Sequence, residues 1–145
     1  MFGVLSAIDA PSLLAIKEEK LRAAGLSQRK TEYAKGLARA IVAGEFDPDA
    51  LEQMTDENAI IAITPLRGFG RWSAEVYLMF SLGRADLFPA DDLITLHSLT
   101  KLKRCGQKLT PKAARQMVEH WAPSRSAGSL LLWHCHHCDY PKLIS

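Results

Sequence analysis

Cysteine is scarce in this 145-residue chain: there are three, Cys105, Cys135 and Cys138. Three thiols cannot build the disulfide framework of a small secreted domain, and they suit a reducing compartment. No apolar run is long enough to cross a bilayer. The opening residues, MFGVLSAIDAPS, lack a basic leader followed by a sustained apolar stretch, so no secretory signal is expected there. An excess of one charge is also missing. The net charge of +2 does not by itself announce a nucleic-acid binder. Period-two alternation and internal repeats are absent as well, which argues against strands and against a solenoid. The expectation is one soluble, intracellular domain, and 48% hydrophobic residues are enough to give it a core.

What is present reads as helix almost throughout. Ser12 to Ala24 is rich in Leu, Ala, Lys and Glu and stops at Gly25. Ser27 is placed to cap a second helix, on which Tyr33, Leu37 and Ile41, with Ala34 and Ala38, form the expected buried stripe. Phe46 to Ala50 reads as a turn. Thr55 opens a helix with Ala59, Ile60 and Ile63 on its apolar side, and Pro65, Gly68 and Gly70 mark the turn after it. Arg71 to Leu82 resumes as helix and is expected to bury Val76, Met79 and Phe80. Asp91 and Asp92 fall where another helix begins, a place that exposed amides and the macrodipole make favourable for an acid. Pro111 marks the first turn of a helix running to Trp121, and Ser124 to Trp133 forms the last one. From His134 the tail reads as irregular. The fold class is all-α, a bundle of short helices.

Charge is unevenly distributed. Acids crowd the first half, whereas Lys101, Lys103, Arg104, Lys108, Lys112, Arg115 and Arg125 are opposed only by Glu119. Such an excess suits a phosphate backbone, although charge alone favours a solvated helical face.

The most specific feature is Leu66-Arg67-Gly68-Phe69-Gly70-Arg71-Trp72-Ser73-Ala74. A helix ends, a Gly-X-Gly turn follows, and a second helix starts at once. Glycine permits positive φ and leaves the backbone bare, and bare amides at a helix start bind phosphate without reading sequence. Tight helix packing explains an isolated Gly-X-Gly equally well. The continuation is more informative: Leu66 to Leu93 reads LRGFGRWSAEVYLMFSLGRADLFPADDL. This run resembles the helix-hairpin-helix DNA glycosylases, whose pattern is a Leu-Pro-Gly-hydrophobic-Gly hairpin, a helix, and a proline-containing loop ending in a catalytic Asp. Within them the chain looks most like the 3-methyladenine DNA glycosylase II branch. The resemblance extends upstream to Leu21-Arg22-Ala23-Ala24-Gly25-Leu26-Ser27 with Arg29-Lys30. Downstream it takes in Trp121-Ala122-Pro123-Ser124-Arg125-Ser126 and Leu131-Leu132-Trp133-His134, covering nearly all of residues 12 to 134.

The resemblance implies a monofunctional glycosylase that removes alkylated purines, of 3-methyladenine type, in base excision repair. Asp92 matches the catalytic carboxylate. Gly68, Phe69, Gly70 and Arg71 match the DNA-gripping hairpin and its helix start, often with a monovalent cation held by the hairpin carbonyls. Trp72 and Trp133 match aromatics that line the pocket of the flipped base. Double-stranded DNA is the implied partner, bound by a monomer, with no membrane association. The implied location is the DNA-associated bacterial cytoplasm. No cofactor is implied for the chemistry. Bifunctional relatives carry a Schiff-base lysine where Trp72 stands, so hydrolysis without strand cleavage is expected. The iron–sulfur cluster of some relatives needs four spaced cysteines, which this chain lacks.

Plainer roles stand beside these. Asp92 also fits a helix cap; with the resemblance, catalysis is the preferred reading. Asp91 is expected to cap its helix. Trp121 is assigned to core packing, Trp133 to core and pocket together, and Arg125 to a structural ion pair. Trp133-His134-Cys135-His136-His137-Cys138 contains zinc-ligand types, but it is a single cluster with no second pair, and no metal site is assigned.

Three departures from the family pattern stand out. The hairpin proline is Arg67, the aromatic usual before the Arg-Ser pair is Ser124, and nothing in MFGVLSAIDAPS matches the further N-terminal helices with their Gln-Gln-x-Ser type motif and DNA wedge. The expected organisation is therefore an N-terminally short core over residues 1–134 with an irregular tail over 135–145. The alternative is a catalytically inactive, truncated DNA-binding module.

Overall fold

Helices begin where the sequence places short polar side chains. In the computed structural model, which describes residues 9–137, Asp9 accepts from the Ser12 amide at 2.7 Å and starts α1 (Ala10–Ala15). Ser27 accepts from the Lys30 amide at the start of α3 (Gln28–Val42), and Thr55 from the Asn58 amide at the start of α4 (Asp56–Ile63), both at 3.3 Å. Each cap satisfies an amide with no intrahelical partner. The described residues form eight α-helices and two 3-10 turns, with no strand among them. The all-α class read from the sequence is correct.

The chain divides into two compact units, one ending at Phe69 and one starting at Gly70. In the first unit, the single helix expected from Ser12 to Ala24 is instead α1 followed by α2 (Glu18–Ala23). Ile16 and Lys17 between them are extended, with ψ of 134° and 143°. The break has a partner far along the chain. Lys35 is buried on α3 and its Nζ donates to the carbonyls of Ile16 at 2.5 Å and Leu14 at 3.3 Å. Carbonyls that a continuous helix would use internally are satisfied by this ammonium instead.

Both α1 and α2 pack on α3. On α3 Thr31, Lys35, Ala38 and Ala40 are buried, while Tyr33, Ala34, Leu37 and Ile41 are only half-buried. The buried row is thus displaced from the expected one and shares only Ala38 with it. A 3-10 turn over Asp49–Gln53 follows, with Leu51 fully buried, where the sequence suggests a plain turn over Phe46 to Ala50. α4 buries Ala59, Ile60 and Ile63 as expected.

The second unit holds α5 (Arg71–Ser81), α6 (Leu93–Leu102), α7 (Pro111–Met117) and α8 (Arg125–His137). Its core gathers Phe88, Ala90, Leu96, Leu99, Ala114, Val118 and Leu132, with Leu109, Met117 and Trp121 packed against it. Trp121 meets the Phe88 ring edge-on at 6.1 Å, in keeping with its assigned packing role. The helix expected to run from Pro111 to Trp121 ends at Met117, and Glu119–Trp121 tightens into a 3-10 turn. α5 buries Ala74, Glu75, Leu78 and Met79; of the three residues expected inside, Val76 is half-buried and Phe80 is 62% exposed.

The loop before α6 is tied to the start of α8. Asp86 accepts from the Arg125 amide at 3.2 Å and receives Nε and Nη2 of Arg125, each at 2.7 Å. Ser126 Oγ donates to the Arg84 carbonyl at 2.7 Å and accepts from the Leu87 amide at 3.0 Å. These bonds fix the start of α8 to the segment that precedes Asp92. α8 itself continues to His137, so His134 to His137 are helical rather than irregular.

Candidate active site

The turn Pro89-Ala90-Asp91-Asp92 closes with the Asp92 amide donating to the Pro89 carbonyl at 3.0 Å. Asp92 then caps α6: its Oδ1 accepts from the Thr95 amide at 2.8 Å. Asp91, expected to be the cap, instead accepts Arg115 Nη2 at 2.7 Å. The reason is one of register. Only the residue directly before the first helical one turns its carboxylate back onto the amide three positions later.

Two indoles complete the surroundings of Asp92. Trp72 Nε1 donates to Oδ2 at 2.9 Å, and Trp133 Nε1 to Oδ1 at 3.2 Å. α5, α6 and α8 thus each supply one of the three residues that the sequence singled out for pocket and catalysis. The carboxylate is anchored at both oxygens by neutral donors and has no cation bonded to it among the described contacts. Burial pushes the Asp92 carboxyl up, but the Thr95 amide and the Trp133 and Trp72 indoles together outweigh it and hold the group below the ordinary carboxylate value. Trp133 carries a further aromatic neighbour, Phe80, stacked on it at 5.8 Å and 14°. Trp72 is 45% exposed and Phe80 is open to solvent on the same helix, so ring surface is available beside an ionised carboxylate.

Next to this site lies a charge cluster centred on Glu75, a residue to which the sequence assigns no role. Glu75 is only 2% exposed. Its Oε1 takes Arg71 Nε at 3.0 Å and Arg115 Nη2 at 3.6 Å, and Arg115 reaches on to Asp91. Burial raises the Glu75 carboxyl above its ordinary value against the pull of Arg115 and Arg71. An i, i+4 pair such as Arg71 and Glu75 is visible in a sequence, but its burial is not.

The hairpin is built from consecutive residues. The Phe69 amide donates to the Leu66 carbonyl at 3.0 Å, and Gly68 has φ of +94°, the third position of a turn that demands glycine. A Cβ on Gly68 would overlap the Tyr33 ring, so this glycine is required by both torsion and space. Gly70 precedes α5 with φ of −90° and ψ of 179° and carries no side chain over the helix amides. The Arg67 side chain is almost fully solvated, with Glu32 at 3.6 Å.

The basic stretch separates into two sets. Lys101, Lys103, Arg104, Lys108 and Lys112 are exposed, whereas Arg115 and Arg125 are half-buried in ion pairs. The ion pair expected for Arg125 is present, with Asp86 as its partner. Of the His/Cys tail, His136 meets His97 edge-on at 5.9 Å, and no group of three or more metal-ligating side chains occurs among the described residues. Cys138 lies outside the described residues.

Residues 2–124 match the family described as HhH-GPD superfamily base excision DNA repair protein. The chain belongs to this superfamily. A fission yeast (Schizosaccharomyces pombe) relative named DNA-3-methyladenine glycosylase 1 is 35% identical over 128 residues, covering 87% of this chain and 56% of its own. A Bacillus subtilis DNA-3-methyladenine glycosylase is 30% identical over 108 residues, covering 74% of this chain and 36% of its own. The chain therefore spans between about a third and just over half the length of these curated relatives. A solved fission yeast 3-methyladenine DNA glycosylase, in complex with abasic DNA, superposes with a TM-score of 0.83 at 31% identity, over 97% of this chain and 73% of that one. The HhH-GPD fold and the glycosylase branch that the sequence resembles are both in agreement with these relatives.

Proposed function

We propose that this HhH-GPD chain carries the catalytic core of a monofunctional DNA glycosylase that hydrolyses the N-glycosidic bond of alkylated purines of 3-methyladenine type. The observation that carries the reading is Asp92: an ionised carboxylate oriented by two indole N–H groups and an amide, with open aromatic surface beside it.

The chemistry follows from the charges. The bond between C1′ and the base nitrogen breaks, and its electron pair leaves with the base. An alkylated base is already cationic and departs neutral, so it needs little help from a general acid. Positive charge develops on the deoxyribose, and water then adds at C1′ and releases a proton. A carboxylate about 4 Å away in an effective dielectric near 20 stabilises that charge by roughly 4 kcal/mol. This corresponds to about a thousandfold in rate. Asp92 serves because its donors hold it ionised and leave it no proton to give. Trp72, Trp133 and the stacked Phe80 receive the flipped base, since electron-poor rings are attracted to aromatic faces.

Gly68, Phe69, Gly70 and Arg71 take the DNA backbone through bare amides and a cation, a contact that positions without reading sequence. The carbonyls of residues 66–70 are hard oxygen donors of the class a monovalent cation takes. A bound cation there would supply positive charge for a phosphate. The exposed Lys101, Lys103, Arg104, Lys108 and Lys112 add long-range attraction for the duplex. Trp72 offers no amine for a Schiff base, so the sugar–phosphate chain stays intact. The protein acts as a monomer on double-stranded DNA in a bacterial cytoplasm, and no described helix is long and apolar enough to cross a membrane.

The test is incubation with N-methylated duplex DNA, assayed for free base and for nicks. Free 3-methyladenine with intact strands until alkali is added is the expected result. Nicks that accumulate as fast as base would overturn the monofunctional assignment, and no release by well-folded protein would overturn the activity.

A further inference from the structure

The charge cluster beside the site points to a role in the reaction beyond holding the fold. We propose that Arg115 is a positioning residue for Asp92, acting through Asp91, with Glu75 as its buried counter-ion. The inference rests on the glycosylase reading for its functional consequence, but the geometry it claims exists in the free protein.

Three helices meet in the cluster. Arg115 stands on α7, and its Nη2 lies 2.7 Å from Asp91 Oδ2 and 3.6 Å from Glu75 Oε1. Glu75 stands on α5, one turn after Arg71, whose Nε it takes at 3.0 Å. Asp91 immediately precedes Asp92, the cap of α6. One guanidinium nitrogen therefore ties the helix that carries Trp72 to the residue that sets the backbone of Asp92. The hydrogen bonds from Trp72 and Trp133 to opposite oxygens of Asp92 require Asp92 to keep its place against both indoles within a few tenths of an ångström.

The same contact answers an electrostatic problem. Asp91 and Asp92 are adjacent acids, and an unpaired Asp91 would offer the substrate a second anion in the wrong place. Arg115 neutralises it. Glu75 in turn gives Arg115 a fixed anchor, because a buried carboxylate cannot leave its cations without a large desolvation penalty. A buried ion pair contributes little net stability compared with well-packed apolar side chains. Here Glu75 is buried while Arg115 and Asp91 are partly exposed, which lowers the gain further, so stability alone is a weak reason for the cluster.

The experiment reads the indole N–H resonances of the free protein by 1H–15N correlation. The chain has three tryptophans, and each resonance is assigned by its own Trp→Phe substitution. Asp92→Ala marks where the Trp72 and Trp133 signals fall once their acceptor is gone. Arg115→Ala is expected to move both signals toward those positions. Because that variant takes from the buried Glu75 one of the two cations beside it, two others accompany it: Asp91→Ala, which cuts only the link to the turn, and Arg115→Ala combined with Glu75→Gln, which removes the buried charge as well.

In base release, the same variants are expected to lose about tenfold to hundredfold in kcat, the scale of a displacement near 1 Å. KM is expected to change by less than about threefold, since the loss falls on the transition state. Arg115→Lys, which keeps a cation, is expected to recover most of kcat. Wild-type indole signals and wild-type kcat in Asp91→Ala and in the double variant would overturn the proposal. If wild-type protein released no base, the glycosylase reading would fall, and the indole signals alone would still decide the positioning claim.

Discussion

Trp72 Nε1 lies 2.9 Å from Asp92 Oδ2, so an indole from α5 hydrogen bonds the carboxylate that caps α6. The candidate wall and the candidate catalytic group are thus one bonded unit. A change in either is felt by the other, and this makes the site testable one atom at a time.

Trp72→Phe keeps a ring in the wall and deletes the donor. A hydrogen bond to a charged group is worth about 1.5–3 kcal/mol, and loss of that amount slows base release by roughly tenfold to a hundredfold. In the proposed mechanism Asp92 acts as the anion, and its donors hold its pKa down. Activity therefore fails only as pH falls through that lowered value. In Trp72→Phe the acidic limb of the pH–rate profile is expected to move to higher pH. An unmoved limb would show that the indole does not tune the carboxylate.

Asp86→Ala is expected to destabilise the second unit. Asp86 holds the Arg125 guanidinium at two atoms and its amide at one, and its carboxyl lies below the ordinary value chiefly through that guanidinium. Both side chains are about a third exposed, which limits the loss to about 1 kcal/mol. A depressed carboxylate stabilises above its unfolded pKa, and the effect is lost as pH falls through the folded one. Urea unfolding should therefore separate wild type from Asp86→Ala at neutral pH. The difference should shrink once pH drops below the ordinary carboxylate value.

Gly68→Ala is expected to damage the hairpin in two ways. Positive φ costs a non-glycine residue about 1–2 kcal/mol, and the added methyl collides with the Tyr33 ring. Trimming Tyr33 to Ala relieves the collision but not the torsion, so the double variant should recover only part of the lost thermal stability. Full recovery would mean that the turn tolerates an L residue at this position.

Arg67→Pro runs the other way. Arg67 occupies the second position of the Leu66-to-Phe69 turn, where proline presets φ. Its contact with Glu32 is solvated and of little value. The substitution is expected to stabilise the protein by about 0.4–1 kcal/mol through the unfolded state. A lower melting temperature would show that the turn needs a torsion proline cannot take.

Much of this was legible in the residues because the signals were local. Ser27, Thr55 and Asp92 are caps whose chemistry is complete within four residues, and Gly68 is fixed by its own turn. The resemblance carried by Leu66 to Leu93 marks Asp92 and Trp72, its continuation in Leu131 to His134 marks Trp133, and the structure brings those three together. The rest depended on contacts distant in sequence. The break between α1 and α2 is made by Lys35, some twenty residues on. The buried residues of α3 are Thr31, Lys35, Ala38 and Ala40 rather than its Tyr33-Leu37-Ile41 stripe, a choice that periodicity within the helix does not encode. Phe80 lies outside because α5 turns Ala74 and Leu78 inward, which leaves that ring free to stack on Trp133. Glu75 and Arg115 look like surface charges in the sequence, and only the approach of α7 to α5 brings Arg115 to the buried Glu75 carboxylate.

The central claim is that Asp92 stabilises the sugar cation as the base departs. The most direct measurement is single-turnover release of methylated purine from duplex DNA by wild type and Asp92→Asn, with helicity of both checked by circular dichroism. The expected result is two equally helical proteins and a rate lower by about a thousandfold in the variant. Equal rates in the two proteins would contradict the claim and remove Asp92 from the chemistry.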